Sequence, residues 1–317
     1  MFTSLKSQIL LFSLTLALLL GLQIILSRDI YATFVSNLDI TQETIKEVSI
    51  VRELERDVID LQRNVLIYKS SASESAIERF VVLMLDTKQR LDSLQTLTEN
   101  DVQMQLYSDY IARMRAHLED YNDHFADVII GRTQRQSLVD NGLLIELQQV
   151  FATINLSELS NAKDADRARK IQTILFNIAQ AENYLLQYLL NPDQEFISPF
   201  QQHIATAIQL IEGQGKPTPN NELTDLLTKL SRVEEDFIQL TQITRGYLFL
   251  VNVVMAGSAN EFLFLARELN SLVTEKLHQT NIDVKTTTEK SLNESDLYSL
   301  IGILLAIFAA VFLAYRI

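Results

Sequence analysis

The amino-acid sequence predicts an all-α fold: two stacked four-helix bundles that share two long helices, flanked by two transmembrane helices. Three observations predict it. Only eight glycines and four prolines occur in 317 residues, so chain reversals are few. Between them apolar residues recur at alternating three- and four-residue steps, the periodicity of a buried helix face. Uncharged runs at 7–27 and 297–315 bracket a polar middle. Each run is about 20 residues, enough at about 1.5 Å per residue to cross a hydrocarbon core of roughly 30 Å.

The first run is too long for a secretory h-region and no small-x-small cleavage site follows it, so it reads as an anchor rather than a removed leader. Lys6 precedes it and Arg316 follows the second run. Those flanking charges favour both termini inside, giving a two-pass protein of the inner (cytoplasmic) membrane with an extracytoplasmic middle. All 40 acidic residues lie in that middle. Nucleic acid is therefore an improbable partner, because displacing phosphate counterions needs a basic surface. With no cysteine in the chain, no disulfide staples the exported part, and packing must hold it.

Val51, Leu54, Val58, Leu61, Val65 and Tyr68 form the stripe of a first helix, and Ile77, Phe80, Met84, Thr87, Leu91 and Leu94 that of a second. Ser70 to Ser73 would join them as an antiparallel hairpin. Asn100 is a candidate N-cap for a third helix over 101–156. Its stripe runs through Tyr107, Ile111, Met114, Leu118, Tyr121, Phe125 and Val128, then Leu144, Leu147, Phe151 and Ile154. Its length would be about 84 Å. A fourth helix carries Ile171, Leu175, Ile178, Glu182, Leu185 and Leu189 and stops at Asn191-Pro192, where proline removes a backbone donor. A fifth spans about 198–212 with Pro199 in its first turn, and 213–221 is a loop. The sixth begins near Glu222 with Leu230, Val233, Phe237, Leu240, Thr244, Tyr247, Val251 and Val254. It continues past Gly257 through Phe262, Leu269, Val273, Leu277 and Val284 into the second span. Breaks are expected near 70–74, 98–101, 157–164, 191–198 and 213–221. Six antiparallel helices return the chain to the membrane and seven would not, so Gly257 is expected to be a kink and not a hairpin.

Only the third and sixth helices are long enough to run through two layers. The implied organisation is a cytoplasmic start and first span (1–27), an extracytoplasmic domain (28–296), a second span (297–315) and the start of a cytoplasmic linker (316–317). Within the domain, about 28–130 and 258–296 would form the proximal module and about 131–257 the distal one. Arg63-Asn-Val-Leu-Ile-Tyr68 faintly echoes Glu182-Asn-Tyr-Leu-Leu-Gln187, as a duplicated hairpin would.

This arrangement, with the opening helix Arg52-Glu-Leu-Glu-Arg-Asp-Val-Ile-Asp-Leu-Gln-Arg63, resembles the helical bimodular sensor domain of bacterial chemoreceptors and sensor histidine kinases. That group includes the kinase type that senses trimethylamine N-oxide through a periplasmic binding protein. The resemblance covers roughly residues 28 to 296 and rests on architecture rather than a sharp motif. It implies a transmembrane receptor that detects a small molecule, such as an organic acid, or a ligand-loaded binding protein, and signals by helix displacement. It also implies that Arg316-Ile317 opens a HAMP linker, leading in a longer chain to a histidine kinase or methyl-accepting domain. The competing reading is a structural or scaffolding membrane protein. Helix displacement is easiest between two protomers, so a parallel homodimer is expected.

No catalytic constellation is legible in the chain, and no cofactor is expected. His117, His124, His203 and His278 are scattered, and the seven-residue gap between the first two is too long for a compact metal pair. No phosphate-cradling glycine loop or nucleophile elbow occurs. What remains are polar residues on core stripes. Glu182 and Thr244 sit there with Asn183 and Arg245 beside them, and an internal Glu182–Arg245 pair is the first expectation, a ligand contact the second. Arg52, Arg56 and Arg63 lie on the first helix off its stripe. They read first as ion-pair partners of Glu55 and Asp60; the resemblance implies arginines on this helix that hold small carboxylates bidentately near a dimer seam. Gly257 is the candidate weak point for signal transmission. Thr280, Thr287 and Ser291 would pack loosely in the sixth helix's polar tail.

Overall fold

A computed structural model of the chain describes residues 5–99, 104–156, 165–213 and 222–316, with some side chains near both chain ends and at the loop margins outside that description. Among the described residues every regular element is a helix. They are α1 (Leu5–Ser71), α2 (Glu74–Thr98), α3 (Met104–Leu138), α4 (Leu144–Leu156), α5 (Ala165–Leu190), α6 (Ile197–Glu212), α7 (Glu222–Phe249) and α8 (Ala256–Arg316). One π turn, Val139–Leu143, joins α3 to α4, and another, Leu250–Met255, joins α7 to α8. A short 3-10 turn, Gln194–Phe196, precedes α6. The expected cap at Asn100 and the loops over 157–164 and 214–221 lie outside the described residues.

The hairpin between α1 and α2 is made by one left-handed residue. Ala72 has φ 52°, and its N–H bonds the Tyr68 carbonyl at 2.9 Å, closing the helix in the way a C-terminal glycine usually does. At the other break, Asn191 N–H still reaches Gln187 O at 2.9 Å, but Pro192 has no N–H to continue the ladder. The Asp193 carboxylate then accepts from Glu195 N–H at 3.2 Å, nucleating the next turn as an N-cap does.

The described chain divides into two compact units. One comprises 1–58, 86–115 and 262–317; the other comprises 59–85 and 116–261. Of the predicted stripes of the first three helices, Val51, Leu54, Val58, Leu61, Val65, Tyr68, Phe80, Met84, Thr87, Leu91, Leu94 and all seven residues from Tyr107 to Val128 are buried, while Ile77 is half-buried and Ala76 takes its place in the core. Beyond Val128 the stripe differs from expectation. The buried residues are Val139, Leu143, Leu147, Val150 and Ile154, while Leu144 and Phe151 are only half-buried. The reason is the π turn, whose extra residue shifts the buried face by one position.

The core of the second unit is aromatic at its centre. Phe200 of α6 stacks on Phe237 of α7 at 3.7 Å, and Tyr188 meets Phe237 edge-on at 5.6 Å. Phe200→Ala is expected to cost about 3–5 kcal/mol in urea unfolding, because a fully buried ring leaves a cavity. Phe176→Ala, at a position 58% exposed, should change stability by no more than about 0.5 kcal/mol.

Candidate functional site

In the first unit α1 and α8 run side by side, and their facing positions define a seam. On α1 these are Ile30, Thr33, Asn37, Thr41 and Thr44; on α8 they are Thr280, Val284, Thr288, Ser291, Ser295 and Ser299. The seam is polar and small. Thr33, Thr41 and Thr44 return their hydroxyl protons to carbonyls four residues earlier, at 2.9–3.0 Å, so their outward chemistry is mostly methyl. Small side chains let helix backbones approach closely. Thr287, expected on this face, is exposed, and Thr288 takes its place.

Apolar residues of the same α1 segment flank the seam on its outer side and stay exposed: Tyr31 (69% exposed), Phe34, Val35, Leu38 and Ile45 (51%), with Tyr31 and Phe34 lining a groove beside Thr288, Ser291 and Leu292 of α8. Monomeric surfaces rarely leave such a continuous stripe in water. One turn further along the same side come Ser49, Arg52 and Arg56, which with Ile45, Val48, Glu53 and Leu277 line an open cleft of about 460 Å³.

The charge of that cleft is set by what is already neutralised. Arg90 of α2 donates from Nε to Glu53 Oε2 at 2.8 Å and from Nη1 to Asp57 Oδ2 at 2.7 Å. Asp57 is 3% exposed, and burial pushes its carboxyl above the ordinary value; Arg90 and then Arg56 oppose that, while Asp86 and Glu53 add to it. With both acids engaged by Arg90, Arg52 and Arg56 face solvent without an ion-pair partner among the described residues. The cleft is a cationic spot in a chain of net charge −13.

Not all predicted site residues join it. Arg63 belongs to the second unit and pairs with Asp60 at 3.1 Å on the same helix, as first expected. Glu55 instead meets Arg267 at 3.8 Å. The expected Glu182–Arg245 pair does not form: Arg245 and Asn183 are exposed and Glu182 is half-buried. The core of α5 runs Ile171, Ile174, Ile178, Ala181, Leu185, Tyr188, so the carboxylate sits one residue off the stripe and needs no buried cation. Thr244 is fully buried as expected, and its hydroxyl has no hydrogen bond of good geometry.

Gly257 lies inside α8, so the chain stays helical through it. The irregularity sits just before, in the π turn Leu250–Met255. A Cβ at Gly257 would meet nothing within 4 Å, which removes close packing as the reason for glycine.

One described helix, Leu223–Phe308, is long and apolar enough to cross a membrane by length and composition, and only 33% of its apolar window is buried. Leu300, Ile303, Leu304, Ile307 and Phe308 are all more than 40% exposed, unlike the central helix of a water-soluble core. Comparison with protein-family models and with curated proteins found no match.

Three outcomes follow from this geometry. Arg90→Ala should lower stability by about 3 kcal/mol in chemical denaturation, because it strands a buried carboxylate, and the added change Asp57→Asn should recover most of the loss. The raised Asp57 pKa means the native state binds that proton more tightly than the unfolded chain. Wild-type stability should therefore fall as pH rises from about 3.8 through the raised value, and Asp57→Asn should remove that component of the slope. Gly257→Ala should raise stability by about 0.5–1 kcal/mol, since it strengthens an exposed helical position without a clash; a loss of stability would mean an unseen packing role.

Proposed function

We propose that the chain is the sensory input region of a transmembrane signalling receptor. It acts as a parallel homodimer in the inner membrane, and its extracytoplasmic part takes up a small carboxylate, free or delivered by a binding protein. The observation that carries this reading is the alignment on α1: the exposed stripe Tyr31, Val35, Leu38 and Ile45 runs directly into the unpaired Arg52 and Arg56. A second copy covering the stripe would bring four guanidinium groups together at the end of the seam. Guanidinium forks match carboxylates bidentately, and the apolar floor of Val48 and Leu277 suits a short hydrocarbon body.

The reading takes the two compact units as two four-helix modules that share the long helices, and the stretches 7–27 and 297–315 as two spans. Ligand uptake would then act on α1 itself, a single helix from Leu5 to Ser71. A shift of α1 against α8 is inexpensive where the seam is mostly Thr and Ser, with Ile30, Asn37 and Val284 its larger members, because little apolar contact is lost. A scaffolding protein has no use for unpaired arginines beside a helix seam, which is why signalling is preferred.

Single cysteines at Val35, Leu38 and Ile45 should form disulfide-linked dimers in membranes, while cysteines at Thr33 and Thr41, on the α8-facing side, should not. The double variant Arg52→Ala/Arg56→Ala should keep the crosslinks yet lose at least ten-fold in affinity for succinate or malate by calorimetry. Crosslinking that ignores helical periodicity would remove the dimer seam. Unchanged carboxylate affinity would remove the arginines.

A further inference from the structure

One outer face of the second unit belongs neither to its core nor to the α1 stripe. Phe80 of α2 packs against Tyr121 and Phe125 of α3, with ring centres 6.0 and 4.0 Å away, so the two helices lie side by side at this level. Which sides meet follows from Arg115 of α3, which pairs with Asp92 of α2 at 2.7 Å and donates to Gln95 at 3.1 Å. Leu85 and Glu78 precede Asp92 at seven-residue steps on the same side of α2, and Val81 stands between them. Glu119, Ala126 and Ile130 follow Arg115 at steps of four, seven and four, on the same side of α3. These two rows border the outer groove between the helices.

The groove is apolar and its margins are acidic. Val81, Val82, Leu85 and Ile130 are each more than 50% exposed, a cluster that water alone does not favour. Glu78, Glu119 and Asp123 are exposed beside them. Over 74–87 and 116–131 the two helices carry seven carboxylates and a single Lys or Arg, Arg79.

That charge selects the occupant. A second copy of the chain in a symmetric contact would press these carboxylates against their own equivalents, in a chain of net charge −13. Anionic lipid headgroups meet the same repulsion. A partner must instead combine an apolar stripe with cations at its edges. A helix does so in the cleft between two others, with anchors at three- and four-residue steps. Lysine and arginine stems also cover apolar surface while their heads reach carboxylates in water.

We propose that the outer groove between α2 and α3 docks a cationic amphipathic helix of another protein or peptide. Its apolar stripe covers Val81, Leu85 and Ile130, and its flanking cations meet Glu78, Glu119 and Asp123. Docking here uses no residue of the Arg52/Arg56 cleft and does not depend on carboxylate sensing.

The test uses the full chain in phosphatidylcholine nanodiscs and a fluorescein-labelled amphipathic helix of about four turns, leucine on one face and lysine on the other. Fluorescence anisotropy is read against empty nanodiscs. Saturable binding beyond that of empty discs is expected, and a peptide with glutamate in place of every lysine should not show it. Val81→Ser/Leu85→Ser and Glu119→Gln/Asp123→Asn should each weaken binding at least ten-fold with Tm unchanged, because all four positions are exposed; Phe176→Ser, at another exposed apolar position, should not. Binding no greater than to empty discs, equal binding of the glutamate peptide, or insensitivity to either pair of substitutions would overturn the proposal. So would a fall in oligomeric state caused by Val81→Ser/Leu85→Ser without peptide, which would give this face to a second copy.

Discussion

The ion pair between Glu47 and Lys276 closes the apolar core of the first unit. The Glu47 carboxylate is 3% exposed, and the Lys276 ammonium reaches both of its oxygens, at 2.9 and 2.8 Å. The same ammonium lies 5.8 Å from the centre of the Tyr107 ring. Burying two charges costs several kcal/mol unless geometry and further partners offset it. Here a two-point contact and an aromatic face do so. The pair therefore ties α1, α3 and α8 in one register at the end of the core. On one side of it Val48, Val51 and Leu54 continue as ordinary bundle packing; on the other, toward the membrane-length apolar stretches, the α1–α8 seam turns polar.

That change of seam has a consequence for the whole α1 segment. A helix with one apolar face buries it, because each methylene removed from water stabilises by about 0.8 kcal/mol. Here the positions facing α8 are Ile, Thr, Asn, Thr and Thr, and exposed Tyr, Val, Leu and Ile flank them. Asn37 leaves a buried amide nitrogen without a partner in the seam. The exposed stripe is unfavourable for a lone chain, and it is covered if a second α1 packs on it. On the proposed reading the monomer is one half of a four-helix arrangement near the membrane, and the unpaired arginines stand where that arrangement meets the core.

Much of the fold was legible in the sequence. The first three stripes, from Val51 to Val128, depend only on helical spacing in regular helices, and apart from Ile77 they match the buried residues. Reading failed where the helix itself is irregular. Past Arg135 the stripe steps by four three times, the mark of an inserted residue, and a pattern resumed at Leu144 beyond Gly131 put Leu144 and Phe151 on the face that belongs to Leu143 and Val150. Glu182 was misplaced for a simpler reason, a one-residue phase error that hid Ala181, whose small side chain weighs little in a pattern of large ones. Arg52 and Arg56 were visible as off-stripe cations, but their freedom was not, since it depends on Arg90 arriving from another helix. The buried Arg135 went unnoticed because arginine at a core position looks like a solvated charge until the packing around it is known.

In the proposed receptor the outer stripe of α1 is the surface between two copies of the chain. Its most direct measurement is the protein mass of the full chain in lipid nanodiscs by sedimentation equilibrium, with Val35→Glu/Leu38→Glu as the comparison. The account predicts twice the 36.1 kDa chain mass for the wild type and a single chain mass for the variant, with helicity unchanged. A wild type that remains a single chain at concentrations where the cleft binds carboxylate would contradict it.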